Sequence, residues 1–187
     1  MRPLKAVSAA LLLALACAAA HAQMTPVERS ILVQASPDRV WLLGGDYCAI
    51  ARWDAALRRC DVVLGNGAPG TVRRMVYRAG GLPAVDVLTD RGPWSYSYRK
   101  LSGHTRGRWQ VAAGPDAGTT VVTWQVWLDP FALPNGAGSE YPLALGDEML
   151  GAMERLRQRA EADEREAAAE AREAALRTTP AFSMEGS

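Results

Sequence analysis

The chain has 187 residues, 49% of them hydrophobic and 22% charged, with a formal net charge of +1. These values are ordinary for a globular protein, and the length suits one domain with a core of its own. The near-neutral balance excludes nucleic acid as the expected partner, because no basic excess is present to meet phosphates.

The first 22 residues stand apart. Arg2 and Lys5 precede an apolar run at 9–20, AALLLALACAAA, and Ala20-His21-Ala22 offers small residues at both positions that a signal peptidase reads. This is the pattern of a secretory signal peptide at 1–22, too short to span a membrane. A lipoprotein processed at Cys17 is the alternative, but Ala14 then stands where a large aliphatic residue is usual. Cleavage after Ala22 removes Arg2 and Lys5 and no acid, changes the net charge from +1 to −1, and makes the mature chain periplasmic or secreted. Residues 23–138 hold 13 basic and 9 acidic side chains, whereas 139–187 hold 6 and 11, so the body is mildly basic and the tail acidic.

After the signal, 27–35 carries Ile31 and Val33 on one face and predicts a first strand. Ser36-Pro37-Asp38 stops it and starts a helix, with Ser36 as cap, Pro37 in the first turn and Gly44-Gly45 as the break. A second short helix is expected from a cap at Asp46 to about Trp53. Six more strands follow, at 57–65, 70–78, 84–89, 94–101, 105–113 and 119–129, separated by Gly, Pro, Asn and Asp clusters. Short links between consecutive strands imply antiparallel neighbours.

The stretch 139–159 spaces Leu143, Leu145, Met149, Leu150, Met153 and Leu156 by threes and fours, one apolar stripe along a helix. The economical arrangement is α+β, with a curved seven-stranded antiparallel sheet closing over this long C-terminal helix and leaving a cavity between them. Three segments result: the signal at 1–22, a ligand-binding domain at 23–160, and an extension at 161–187. The extension is almost pure Ala, Glu and Arg to Arg177, with Glu161 and Glu173 each four residues before an arginine, and ends in a tail expected to be disordered. A solvated helix is the expectation and a coiled-coil contact the sharper alternative.

Once the signal is gone, Cys48 and Cys60 remain of three cysteines. An even pair outside the cytoplasm is a disulfide candidate, and closing so short a loop would contribute roughly 3 kcal/mol. Two buried thiols are the alternative, and the choice turns on whether the alpha carbons lie within about 4.4 to 6.8 Å.

Strand alternation sorts the inner face. Arg73, Met75 and Tyr77 form the less charged set of their strand, Trp109 and Val111 point inward, and Tyr96 and Tyr98 share a face with Trp94. Val122, Trp124, Val126 and Leu128 should meet the helix. A turn at 79–82 would set Met75 opposite Asp86 and put Arg73 diagonal to it on the same face. The expected cavity wall is Arg73, Met75, Tyr77, Asp86, Tyr96, Tyr98, Trp109, Trp124, Met149 and Met153. Arg73 and Asp86 either orient a polar group of a ligand or satisfy each other at the rim, and the aromatic residues serve either as wall or as core. Nothing has the spacing of a zinc site, a phosphate loop or a nucleophile motif, and no cofactor is expected. His104, the only histidine after residue 22, sits in a Ser-Gly-His-Thr turn that does not suit a general base.

The order of elements, with Ser36-Pro37-Asp38-Arg39-Val40-Trp41, Asp46 to Trp53, Gly70-Thr71-Val72-Arg73, Asp86-Val87-Leu88 and Asp90, Tyr96-Ser97-Tyr98 and Thr120 to Trp124 ending in Asp129-Pro130, resembles a known superfamily. It is that of the START and Bet v 1-like proteins, in particular the bacterial polyketide cyclase/dehydrase and lipid-transport branch, across about 27–159. The resemblance implies a helix-grip fold and a hydrophobic ligand or lipid in its cavity. This chain departs from the pattern at Asp86, where the family usually has Glu, and at Trp53-Asp54-Ala55, where it usually has Trp-x-Pro. An exported member with an acidic tail also looks like the periplasmic accessory proteins of bacterial methanol oxidation.

Three functions follow as expectations. The first is an exported protein holding a small hydrophobic or amphipathic molecule. The others are a cyclase- or dehydratase-type enzyme using the same pocket, with Arg73, Asp86, Tyr96 and Tyr98 to move protons, and an accessory protein that contacts a periplasmic redox enzyme through its acidic helix.

Overall fold

The computed structural model describes residues 25–103, 105–128 and 140–178. The signal expected at 1–22, His104 and the tail from 179 lie outside the described residues. The chain runs β1 (Thr25–Val33), α1 (Pro37–Gly44), a single 3-10 turn (Ala49–Arg52), β2 (Leu57–Leu64), β3 (Val72–Tyr77), β4 (Ala84–Gly92), β5 (Ser95–Lys100), β6 (Arg106–Ala113), β7 (Thr120–Leu128) and α2 (Glu140–Thr178). The seven strands form one sheet in the order β1-β7-β6-β5-β4-β3-β2, antiparallel throughout. The sheet wraps α2 in the helix-grip manner. Register shifts at Leu57/Arg59, Val62/Leu64 and Leu88/Asp90 mark bulges, which bend strands and help the sheet curl.

Local chemistry sets the early elements. The Ser36 hydroxyl accepts from the Arg39 amide at 3.4 Å with Pro37 in the first turn, so α1 starts as its sequence dictates. The second helix does not form in full. Asp46 accepts from the Cys48 amide at 2.8 Å, but only Ala49–Arg52 coils, as a 3-10 turn. The cause lies in two tethers: the Tyr47 carbonyl accepts from Arg73, and Cys48 is bridged to Cys60 with alpha carbons 5.3 Å apart. Both hold the backbone where a full helical turn would have to begin.

Helix α2 buries Gly146, Met149, Ala152, Met153, Leu156 and Ala160. Three expected stripe members differ: Leu143 is 63% exposed, and Leu145 and Leu150 are half-buried. The first buried helix residue is Gly146, so Leu143 lies a turn before the helix is covered, and small residues share the stripe, Gly146 where the Arg29 side chain crosses the helix. A Cβ at Gly146 would come within 2.0 Å of the Arg29 guanidinium. The helix stays docked past residue 160, where the domain was expected to end. Glu161 accepts from the Gln34 amide at 3.0 Å, and Glu164 accepts from the Ser36 hydroxyl at 3.3 Å and pairs with Arg39 at 3.6 Å. Among the described residues, the side-chain bonds beyond Arg165 are internal to the helix, as between Arg177 and Glu173.

The β3–β4 hairpin also corrects an expectation. Arg73 faces Asp86 directly and Met75 faces Ala84. The connection is longer than the turn at 79–82, because Val76 and Tyr77 pair only with β2, Gly80 and Gly81 both take positive φ, and Pro83 has no amide to donate.

Candidate functional site

A cavity of about 710 Å³ lies between the sheet and the first half of α2. Its apolar wall comes from Leu57, Met75, Trp124, Val126 and Leu128 on the sheet side and Leu145 and Met149 on the helix. Its rim carries Tyr77, Arg78, Gly80 and Tyr141, all exposed. Of the ten residues expected on the wall, seven line this space: Arg73, Met75, Tyr77, Asp86, Tyr98, Trp124 and Met149.

Tyr96, Trp109 and Met153 do not line it; they are packed into the core. Trp109 stacks on Trp53 with ring centroids 5.1 Å apart, and Trp124 meets both rings edge-on at 5.9 and 6.0 Å. This trio fills the end of the sheet–helix space where α1 and the 3-10 turn close it. A Cβ at Gly44 would touch the Trp109 ring at 3.2 Å. Tyr96 is held between Trp41, Tyr47 and Tyr98.

The polar centre of the wall is the Arg73–Asp86 pair, 1% and 3% exposed. Arg73 donates from Nε and Nη2 to the same oxygen, Asp86 Oδ2, at 3.3 and 3.1 Å, and from Nη1 to the Tyr47 carbonyl at 2.6 Å. Its guanidinium also lies over the rings of Tyr47 and Tyr98, at 4.2 and 4.9 Å from their centroids. A buried charge needs this degree of pairing, since an uncompensated one would cost several kcal/mol. Burial works against the Arg73 charge, but Tyr96, Asp86, Tyr47 and Tyr98 raise its pKa further, so the guanidinium stays protonated. Burial pushes the Asp86 carboxyl up, against the opposing pull of Arg73 and Lys100.

Tyr98 accepts a hydrogen bond from Trp124 Nε1 at 2.9 Å, which leaves its own hydroxyl proton free to donate. Burial raises its pKa well above the usual tyrosine value, so it is a neutral donor at any ordinary pH. It lies against Gly107 of β6: a Cβ there would come within 2.3 Å of Tyr98 Cζ. Tyr47 and Gly107 are site residues that strand alternation did not supply. Gly107 had a signal, because glycine inside a strand often marks close approach of another group. Tyr47 had none beyond its aromatic character. Among the described residues no cluster of His, Cys, Asp or Glu is placed to hold a metal, and no helix is long and apolar enough to cross a membrane. The site's chemistry is that of a largely apolar cavity with a neutralised ion pair and the buried Tyr98 phenol on its wall, and Tyr77, Tyr141 and Lys100 lining it as well.

Comparison with known proteins agrees with this geometry. The model of a family described as polyketide cyclase/dehydrase and lipid transport matches residues 24–161. No curated protein matches the chain in sequence. Among solved structures, the XoxI protein of Bacillus cereus shares 19% identity over 72% of this chain and 94% of its own, with a TM-score of 0.63. A Thermobifida fusca protein shares 24% over 72% and 92%, with a TM-score of 0.60. The Zhui aromatase/cyclase of Streptomyces sp. R1128 shares 17% over 74% and 94%, with a TM-score of 0.59. At these identities the three share the fold with this chain.

Proposed function

The chain belongs to the polyketide cyclase/dehydrase and lipid-transport family, and from that premise we propose that it is an exported binding protein holding a small hydrophobic or amphipathic molecule between sheet and helix. The cavity carries the proposal: about 710 Å³ is ample for a small molecule, and the wall is largely apolar with a few convergent polar groups. Export is supported by the pattern at 1–22 and by the Cys48–Cys60 bridge, which suits an oxidising compartment. Titration with a neutral naphthylamine dye, read by its fluorescence and by quenching of tryptophan emission, tests the reading. Saturable binding at one site per chain is the expected result, and a flat titration would remove it.

A cyclase- or dehydratase-type activity is the second reading. It is favoured by one observation, that a neutral phenol and a carboxylate, Tyr98 and Asp86, line the same cavity. An accessory role toward a periplasmic redox enzyme would use the exposed acidic end of α2. Removing 166–187 would then abolish function in cells while leaving dye binding intact.

A further inference from the structure

Resting on the binding-protein reading, we propose that the cavity selects a ligand with a neutral hydroxyl headgroup, an alcohol or phenol, and that Asp86 Oδ1 is its acceptor. Every Arg73 nitrogen is already committed, Nε and Nη2 to Asp86 and Nη1 to Tyr47. With its Nε–Nη2 edge held by Asp86 and only 1% of the residue exposed, the arginine presents no open edge to a ligand carboxylate in the paired fashion such groups prefer. Asp86 is committed on one side only. Both of its hydrogen bonds fall on Oδ2; Oδ1 accepts from no described residue and is not among the sealed polar atoms. The side chain's remaining 4% exposure opens onto the cavity that it lines.

A free carboxylate oxygen on an apolar wall calls for a donor. Arg73 already neutralises the carboxylate, so a cationic headgroup would bring an unbalanced charge into a desolvated site. A neutral O–H satisfies Oδ1 without that cost. Its own oxygen can in turn accept from the Tyr98 hydroxyl, whose proton is uncommitted. The wall thus offers one acceptor and one donor, the complement of a hydroxyl.

Lys100 is the competing group. It lies opposite Asp86 in the β4–β5 register and lines the cavity, with no acidic partner within ion-pair distance among the described residues. If Lys100 set the specificity, a carboxylate would be preferred. Calorimetric titration of the full chain at pH 8 with 1-dodecanol, dodecyl methyl ether and dodecanoate separates the outcomes. The alcohol should bind roughly ten- to a hundredfold tighter than the ether, the effect of one hydrogen bond to a charged acceptor, and tighter than the carboxylate. An ether equal to the alcohol would overturn the role of Asp86, and a carboxylate as tight as the alcohol would assign the headgroup to Lys100. Failure of all three ligands, together with the dye, would instead remove the binding-protein reading itself.

Discussion

Asp86→Ala tests the buried pair through stability. The substitution removes both bonds to Asp86 Oδ2 and leaves Arg73, 1% exposed, with the Tyr47 carbonyl at 2.6 Å and the faces of Tyr47 and Tyr98. Breaking a buried pair by deleting one partner costs about 3–5 kcal/mol. The ring contacts survive and each is worth about 0.5–2 kcal/mol, so the loss should fall near the lower end, about 3 kcal/mol. Replacing both partners with apolar residues of similar volume, Arg73→Met with Asp86→Leu, removes the unpaired charge and should leave a loss well below the sum of the two single variants, about 1–3 kcal/mol from the Tyr47 carbonyl left without its donor. Urea unfolding followed by tryptophan fluorescence gives all four corners of the double-mutant cycle. A single-variant loss below about 1 kcal/mol, or a double variant as unstable as the two singles added, would refute the claim that the pair is desolvated and mutually dependent.

Gly107→Ala should displace Tyr98, because the new methyl would sit 2.3 Å from its ring; a loss of about 1–3 kcal/mol and weaker dye binding are expected, and unchanged binding would contradict the placement of Tyr98. Reducing the Cys48–Cys60 bridge should cost roughly 3 kcal/mol, a fall in Tm of roughly 6–12 °C, measurable by calorimetry with and without reductant. Truncation after Arg165 should leave the urea midpoint unchanged, whereas truncation after Ala160 should lower it by removing the contacts of Glu161 and Glu164 to Gln34, Ser36 and Arg39; equal effects would deny the docking of that turn. Burial raises the folded-state pKa of Tyr47, Tyr96 and Tyr98, so the folded chain keeps protons that the unfolded chain releases at pH ~10. The stability they contribute is intact below that pH and is lost as pH rises beyond it. Phenolate absorbance from these residues should therefore appear together with loss of circular dichroism, and its appearance while the fold is intact would contradict their burial.

The strands and the grip helix were legible because period-two and period-3.6 patterns need only the residues of one element. Arg73, Met75, Trp109, Val111 and Val122 all face inward as their alternation requires. What alternation lacks is depth along the helix axis. It places Tyr96, Trp109 and Met153 on the inner face but cannot tell that Trp53, arriving from the 3-10 turn, fills the space above Trp109 and leaves only Trp124 of that group on the cavity. The hairpin register was missed for a similar reason, since the length of the β3–β4 loop depends on where β2 stops claiming Tyr77. Arg73 and Asp86 were found as polar exceptions on an inward face, and the partners that complete their setting, Tyr47 and Gly107, come from a turn and a strand remote in sequence.

Native mass spectrometry of the chain purified from the compartment it occupies, followed by solvent extraction of what is released, shows whether the cavity carries a molecule. The expected result is a mass excess from one small molecule per chain, extractable into organic solvent and carrying a hydroxyl. A chain of bare protein mass that also leaves a neutral hydrophobic dye unbound would contradict the binding-protein reading.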